Sequence, residues 1–290
     1  TKNQKYQKYQ KYQKYKKYDK DYHYDKDYKD YRFIWHESSR EDFTSKFKQM
    51  SDLDMQNNIV NIACDTRGTR LLQTHLENVG PATASFLAKG FKGQVWECIR
   101  SPHANYSLQK VIQVIPVCNF IITELNGTGD QLARHRYGCR VFCKLIEKKE
   151  WTHISHLVEE VLIYTNHLIV HTFGKYVAMS LIAHGKQAWK EKIVVAMLNT
   201  RPKFVMESCG MSYLAIDVLR TNGAPLQKEL AFHINQVECW PHKYSSQKRK
   251  LLKDAVDGYI YRSKLQHLTE ETTAETTAET TSETTSETLM

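Results

Sequence analysis

Through the middle of the chain, apolar residues recur at the three-to-four spacing of a helix face, not at the alternating spacing of a strand. The clearest stretch is 136–147, where Gly138 marks a turn and Val141, Leu145 and Ile146 form a stripe to be buried. Cys139, Arg140 and Cys143 fall together on another face, since residues one, three and four apart are neighbours on a helix. The same phrase recurs. From Arg140 it lies 34 residues back at Tyr106, 36 further back at Arg70, and 36 forward at Tyr176. A worn copy follows after another 36, placing Ser212 at the equivalent position within Met211, Ser212 and Ala215. Five copies at nearly constant spacing predict an array of helical repeats.

Upstream of each copy the pattern predicts two shorter helices. Pro81 and Pro116, 35 residues apart, open the second and third units, and apolar groups at 86–87 and 95–99, then 120–122 and 130–135, supply their first two helices. Proline suits a first helical turn because the missing N–H has no intrahelical partner there. The expected organisation is a cap at 32–53, about five three-helix repeats over 54–222, and a degenerate closing repeat at 223–262. The cap is expected because the end of a solenoid must be covered.

Composition changes the picture mainly at the ends. Residues 1–31 repeat Tyr, Gln, Lys and Asp, with ten Lys and five Asp, and have almost no aliphatic side chains to bury. Residues 263–290 become a Glu/Thr tail, with six Glu in 269–290 and no basic group there. Both tails are expected to be disordered. The body between them keeps 31 basic and 21 acidic residues, which suits a polyanionic partner. Seven scattered cysteines without a CxxC pair predict reduced thiols and a cytoplasmic or nuclear location. No apolar run approaches a membrane span, and no membrane association is expected. A chain opening on Thr1 is expected to be a fragment.

The final helices of the units, placed in line, carry one triplet each. These are Thr69, Arg70 and Gln73; Asn105, Tyr106 and Gln109; Cys139, Arg140 and Cys143; and Lys175, Tyr176 and Met179. The middle members form a column of flat groups that can stack on a nucleobase. Several flanking members are short polar groups or amides, the chemistry that meets a base edge. At these residues the sequence resembles the Pumilio/PUF family of RNA-binding proteins, most specifically over 137–147 and 104–112 and in extent over 54–222.

The resemblance implies an all-α fold, a right-handed α-solenoid or crescent of three-helix repeats with one base-reading triplet per repeat on its concave side. It implies a monomer without cofactor or metal, bound antiparallel to single-stranded RNA such as an mRNA 3′ untranslated region. It further implies post-transcriptional or translational regulation, with protein partners possible on the convex side. Asn105 with Gln109 matches the family's uracil-reading pair, and Thr69 with Gln73 is near an adenine-reading pair. Cys139 and Arg140 match another adenine reader in which Cys143 stands where glutamine is usual. The implied preference is an adenine-uracil-adenine 3′ core. Lys175 and Met179 are not a familiar pair, and Met211, Ser212 and Ala215 offer no platform.

Other groups are expected to be structural. His135, Cys139 and Cys143 lie along one straight helix and cannot converge on a tetrahedral metal ion. His171 and its neighbours are expected at helix ends or on the surface, and Trp96, Trp151 and Trp189 in packing. No GxSxG, P-loop or HExxH motif is present, so the expected protein is not an enzyme. The alternative is a decayed repeat scaffold that binds a protein partner and has little RNA specificity.

Overall fold

A computed structural model describes residues 40–221, 223–237, 247 and 250–263. The expectations for the two tails, and for most of the cap before Arg40, lie outside these residues. All regular structure among the described residues is helical. Two compact units succeed one another along the chain, the first ending at Ile115 and the second beginning at Pro116.

In the first unit, α1 (Arg40–Gln49) precedes α2 (Asp52–Cys64) and α3 (Gly68–Asn78). The second repeat follows as α4 (Pro81–Ala88), a 3-10 turn at Lys89–Phe91, α5 (Val95–Arg100) and α6 (Ala104–Val114). Helix α2 starts where Ser51 accepts the Asp54 N–H at 3.1 Å, satisfying a donor that has no intrahelical partner. Pro81 occupies the first turn of α4, as the sequence predicts. Helices α3 and α6 pack side by side and bury Leu72, Leu76, Leu108, Val111 and Ile112. Full burial of one such side chain is worth about 1.5–3 kcal/mol.

The second unit repeats this plan three times. Its first repeat is α7 (Asn119–Leu125), α8 (Gly129–Arg134) and α9 (Gly138–Lys148). The next is α10 (Trp151–Leu162), α11 (Thr165–Leu168) and α12 (Gly174–His184). The last is α13 (Gln187–Leu198), α14 (Pro202–Glu207) and α15 (Cys209–Arg220). Helix α16 (Gln227–Asn235) and a helical stretch over 250–263 close the described part of the chain. Again the third helices pack in a row, α9 against α12 and α12 against α15.

Polar ties between successive repeats fix their spacing. The Glu160 carboxylate on α10 accepts the backbone N–H groups of Gly127 at 2.8 Å and Gly129 at 2.7 Å, at the start of α8. The buried Lys149 ammonium donates to the Pro116 carbonyl at 3.1 Å, and burial depresses its pKa. Trp189 is fully buried and its Nε1–H donates to Glu159 at 2.7 Å. Trp151 departs from the expected packing role in part: its ring meets Trp189 edge-on and its Nε1–H donates to the His184 carbonyl, yet 46% of it is exposed.

Candidate nucleic-acid interface

Each third helix begins with the same local device. At its start a side chain turns back and accepts the N–H of the third residue after it. In α3 this is Asp65, which takes the N–H groups of Arg67 and Gly68 at 2.8 and 2.7 Å. In α6 Ser101 does the same for His103 and Ala104. In α9 the His135 Nδ1 accepts from Tyr137 and Gly138 at 3.2 and 3.0 Å, and in α12 the His171 Nδ1 accepts from Phe173 and Gly174 at 3.1 Å each. Ser208 serves α15 through the Met211 N–H. Glycine at Gly68 and Gly138 then lets the helix close on what precedes it. A β-carbon there would lie 2.2 Å from the Ile62 carbonyl oxygen and 2.7 Å from that of Leu132.

A cap removed from a helix start costs about 0.5–2 kcal/mol. His135→Ala is therefore expected to destabilise the second unit by about that amount. His135→Asn, which keeps an acceptor, should recover most of it in urea unfolding curves. Equal losses for the two variants would show that the ring matters by packing against Tyr137, which it meets edge-on at 6.0 Å.

This cap fixes the rotation of each helix, and with it the exposure of the triplets. The middle members face solvent: Arg70 and Tyr106 in the first unit, Arg140 and Tyr176 in the second, with Tyr106 42% and Tyr176 50% exposed. The first members do not share that exposure. Thr69, Asn105 and Cys139 are buried, and only Lys175 is partly open. Their position turns them toward the neighbouring helices, so the three triplet members are not equally presented. Gln73, Gln109, Cys143 and Met179 are half-buried between these extremes.

The buried members are hydrogen-bonded within the protein. The Thr69 hydroxyl donates to the His103 carbonyl at 3.0 Å and lies 2.9 Å from the Ser107 hydroxyl, tying α3 to α6. The Asn105 amide donates to the Ser101 carbonyl at 2.8 Å, and its oxygen accepts from Gln109 at 3.1 Å. Gln73 likewise donates to the Thr69 carbonyl and hydroxyl. Each glutamine is thereby aligned along its own helix beside the exposed Arg70 or Tyr106.

In the first repeat of the second unit the same places hold sulfur. Burial pushes the Cys139 thiol up to about 11, only partly offset by Arg140, and the Cys143 thiol up to about 12. Both are therefore neutral S–H groups at pH 7. The Cys143 thiol donates to the Tyr176 carbonyl at 3.4 Å, across to the next third helix. The Lys175 ammonium lies 5.0 Å from the centre of the Tyr176 ring, a cation–π contact within the triplet itself.

The fifth copy requires a correction. The constant spacing of 36 predicts Ser212 in the exposed column, but Met211, Ser212 and Ala215 are all fully buried. The cap explains the shift. Ser208 stands 37 residues after His171, so the whole helix is displaced by one residue and rotated by about 100° relative to the expected register. Ser212 takes the first, buried place, with its hydroxyl 2.9 Å from the carbonyls of Val205, Met206 and Ser208. Tyr213, 41% exposed, takes the middle place, and the buried Ile216 the third. The serine three residues ahead of Met211 was the signal in the sequence that marked this register.

Two segments, 58–88 and 130–162, match the sequence profile of the Pumilio-family RNA binding repeat. Pumilio homolog 12 of Arabidopsis thaliana is 29% identical over 122 residues, which is 41% of this chain and 20% of that protein. The chain thus spans about a fifth of that relative's length. Among solved structures, PUF-8 in complex with PBE-RNA aligns with a TM-score of 0.59 at 16% identity, over 72% of this chain and 63% of that one. The RNA-binding domain of yeast Puf5p bound to SMX2 RNA aligns with a TM-score of 0.54 at 16% identity, over 75% and 63%. At such identities the likeness is one of fold.

Proposed function

We propose that this chain is a divergent array of Pumilio-family repeats and that it binds single-stranded RNA through bases laid on the exposed middle residues of its third helices. One observation carries the reading. A flat or guanidinium side chain stands exposed at the same place, two residues after the start fixed by the cap, in every third helix: Arg70 and Tyr106, then Arg140, Tyr176 and Tyr213. Every base has a face, so such platforms accept any single strand, and arginine adds a cation–π term.

Base preference falls to the residues beside the platforms. Asn105 with Gln109 is the pair assigned to uracil, and Thr69 with Gln73 the pair assigned to adenine. Cys139 beside Arg140 stands at the third position of the adenine-uracil-adenine core, without the glutamine usual there. The pre-aligned amides of Gln73 and Gln109 can exchange their intrahelical bonds for a base edge without moving their helices. The proposed biological setting is post-transcriptional control of mRNA in the cytoplasm, by a monomer acting on 3′ untranslated regions.

Stacking contributes about 1–3 kcal/mol per base, and a micromolar complex needs about 8 kcal/mol. Five platforms span about 5–15 kcal/mol at that value, and the basic body adds contacts to phosphate, so affinity should fall with added salt. Selection of bound sequences from a random RNA pool tests the reading, with enrichment of the uracil-adenine step assigned to the first unit expected. Changing Asn105→Ser together with Gln109→Glu should move the preference at one base from uracil toward guanine in a competition assay. An unchanged preference would remove these two residues from the reading.

A protein-binding scaffold is the second reading. It is favoured by Ile163 and Phe232, which are 75% and 69% exposed on and beside helices that carry no platform. Equal affinity for scrambled and core-containing RNA would favour it.

A further inference from the structure

We propose that the unit beginning at Pro116 holds bases by stacking alone and does not discriminate among them, so that sequence reading is confined to the unit ending at Ile115. The inference rests on the RNA-binding reading above and goes beyond it by assigning different recognition chemistry to the two units.

The third member of each triplet divides the chain. It is an amide in the first unit, Gln73 and Gln109, and an apolar or thiol side chain in the second, Cys143, Met179 and Ile216. Discrimination between bases requires a donor or acceptor that one base satisfies and another leaves unpaired. A thioether and a butyl group have no N–H or O–H to offer. Cys143 carries a neutral thiol that is already directed at the Tyr176 carbonyl.

The first members give no substitute. The Cys139 thiol is buried and directed at the Arg136 carbonyl at 3.5 Å. The Ser212 hydroxyl is buried among three backbone carbonyls. The Lys175 ammonium lies over the Tyr176 ring, 5.0 Å from its centre, and carries donors only, which suits a phosphate. The platforms themselves persist, because Arg140, Tyr176 and the register-shifted Tyr213 all remain exposed. What survives in this unit is the sequence-tolerant part of recognition, and what is missing is the edge-reading part.

The test uses the full chain carrying Arg70→Ala and Tyr106→Ala, which leaves the second unit's platforms as the stacking sites. Its affinity is measured for oligouridylate, oligocytidylate and an abasic oligomer of equal length, the two pyrimidines offering similar faces but different edges. The expected result is equal binding of the two pyrimidine strands within about threefold, and abasic binding weaker by about 5- to 150-fold for each platform that holds a base. Adding Tyr176→Ala and Tyr213→Ala should lower both pyrimidine affinities alike. Introducing Cys143→Gln should create a preference of about tenfold between bases at one position where none existed. A pyrimidine preference beyond about tenfold in the starting variant, abolished by Met179→Ala or Cys143→Ala, overturns the inference while leaving RNA binding intact. Equal affinity of the unmutated chain for abasic and base-bearing strands would overturn the RNA reading itself.

Discussion

Removing both platforms of the first unit, Arg70→Ala with Tyr106→Ala, is expected to weaken binding of core-containing single-stranded RNA by about 2–6 kcal/mol, from about 1–3 kcal/mol for each stacked base. Helical circular dichroism should be unchanged. Both side chains project from the α3–α6 pair into solvent, and the apolar contacts that hold the pair together, through Leu72, Leu76, Leu108 and Val111, are on other faces. The measurement is an affinity titration at fixed low salt, repeated at higher salt. Loss of the base contribution should leave the phosphate contribution, so the salt slope should change little while the intercept falls. A double variant that binds as tightly as the parent would place the RNA, if any is bound, on another surface.

The largest expected effect on stability is at Trp189. Trp189→Ala should destabilise the second unit by about 3–5 kcal/mol, the usual range for deleting a fully buried large aromatic. Two effects combine. The side chain fills space between α13 and α10 with no exposure, and its Nε1–H satisfies Glu159, which also takes Lys192 at 2.7 Å. Trp189→Phe keeps most of the volume but not the donor, so it should recover the larger share of the loss. Urea unfolding followed by circular dichroism gives the comparison. A Trp189→Ala loss below about 1 kcal/mol would mean that neighbouring side chains collapse into the space.

Much of this architecture is legible because helix packing writes itself into the chain at short range. A third helix must bury one stripe against its neighbours, so Val141, Leu145 and Ile146 recur at helical spacing, and the stripe recurs wherever a repeat does. The exposed Arg70, Tyr106, Arg140 and Tyr176 follow from the same periodicity, being the residues left on the open side. Pro81 opens a helix in the structure as in the sequence, for a reason contained in its own ring.

Two features needed neighbours to decide them. Thr69, Asn105 and Cys139 look like surface polar or small residues in isolation, but the adjacent third helix and the preceding turn enclose them. Thr69 is claimed by Ser107 and His103 of the next repeat, 38 and 34 residues away. His135 and His171 look like ordinary helix-end histidines until the backbone turns three residues later and presents its N–H groups to Nδ1.

The fifth repeat shows where the division falls. Its sequence determines that a helix forms, and that a serine, a tyrosine and an isoleucine stand at suitable spacing within it. Which of them faces solvent depends on a rotation of about 100° per residue, and periodicity counted over 36 residues does not resolve a single added residue. The turn at Ser208 and the packing of α15 against α12 set that rotation, burying Ser212 and exposing Tyr213. The chain by itself thus determined the helices, their order and the kinds of side chain available for stacking. Contacts between successive helices decided which of those side chains reach solvent, because burial is a property of the neighbouring surface and not of the residue.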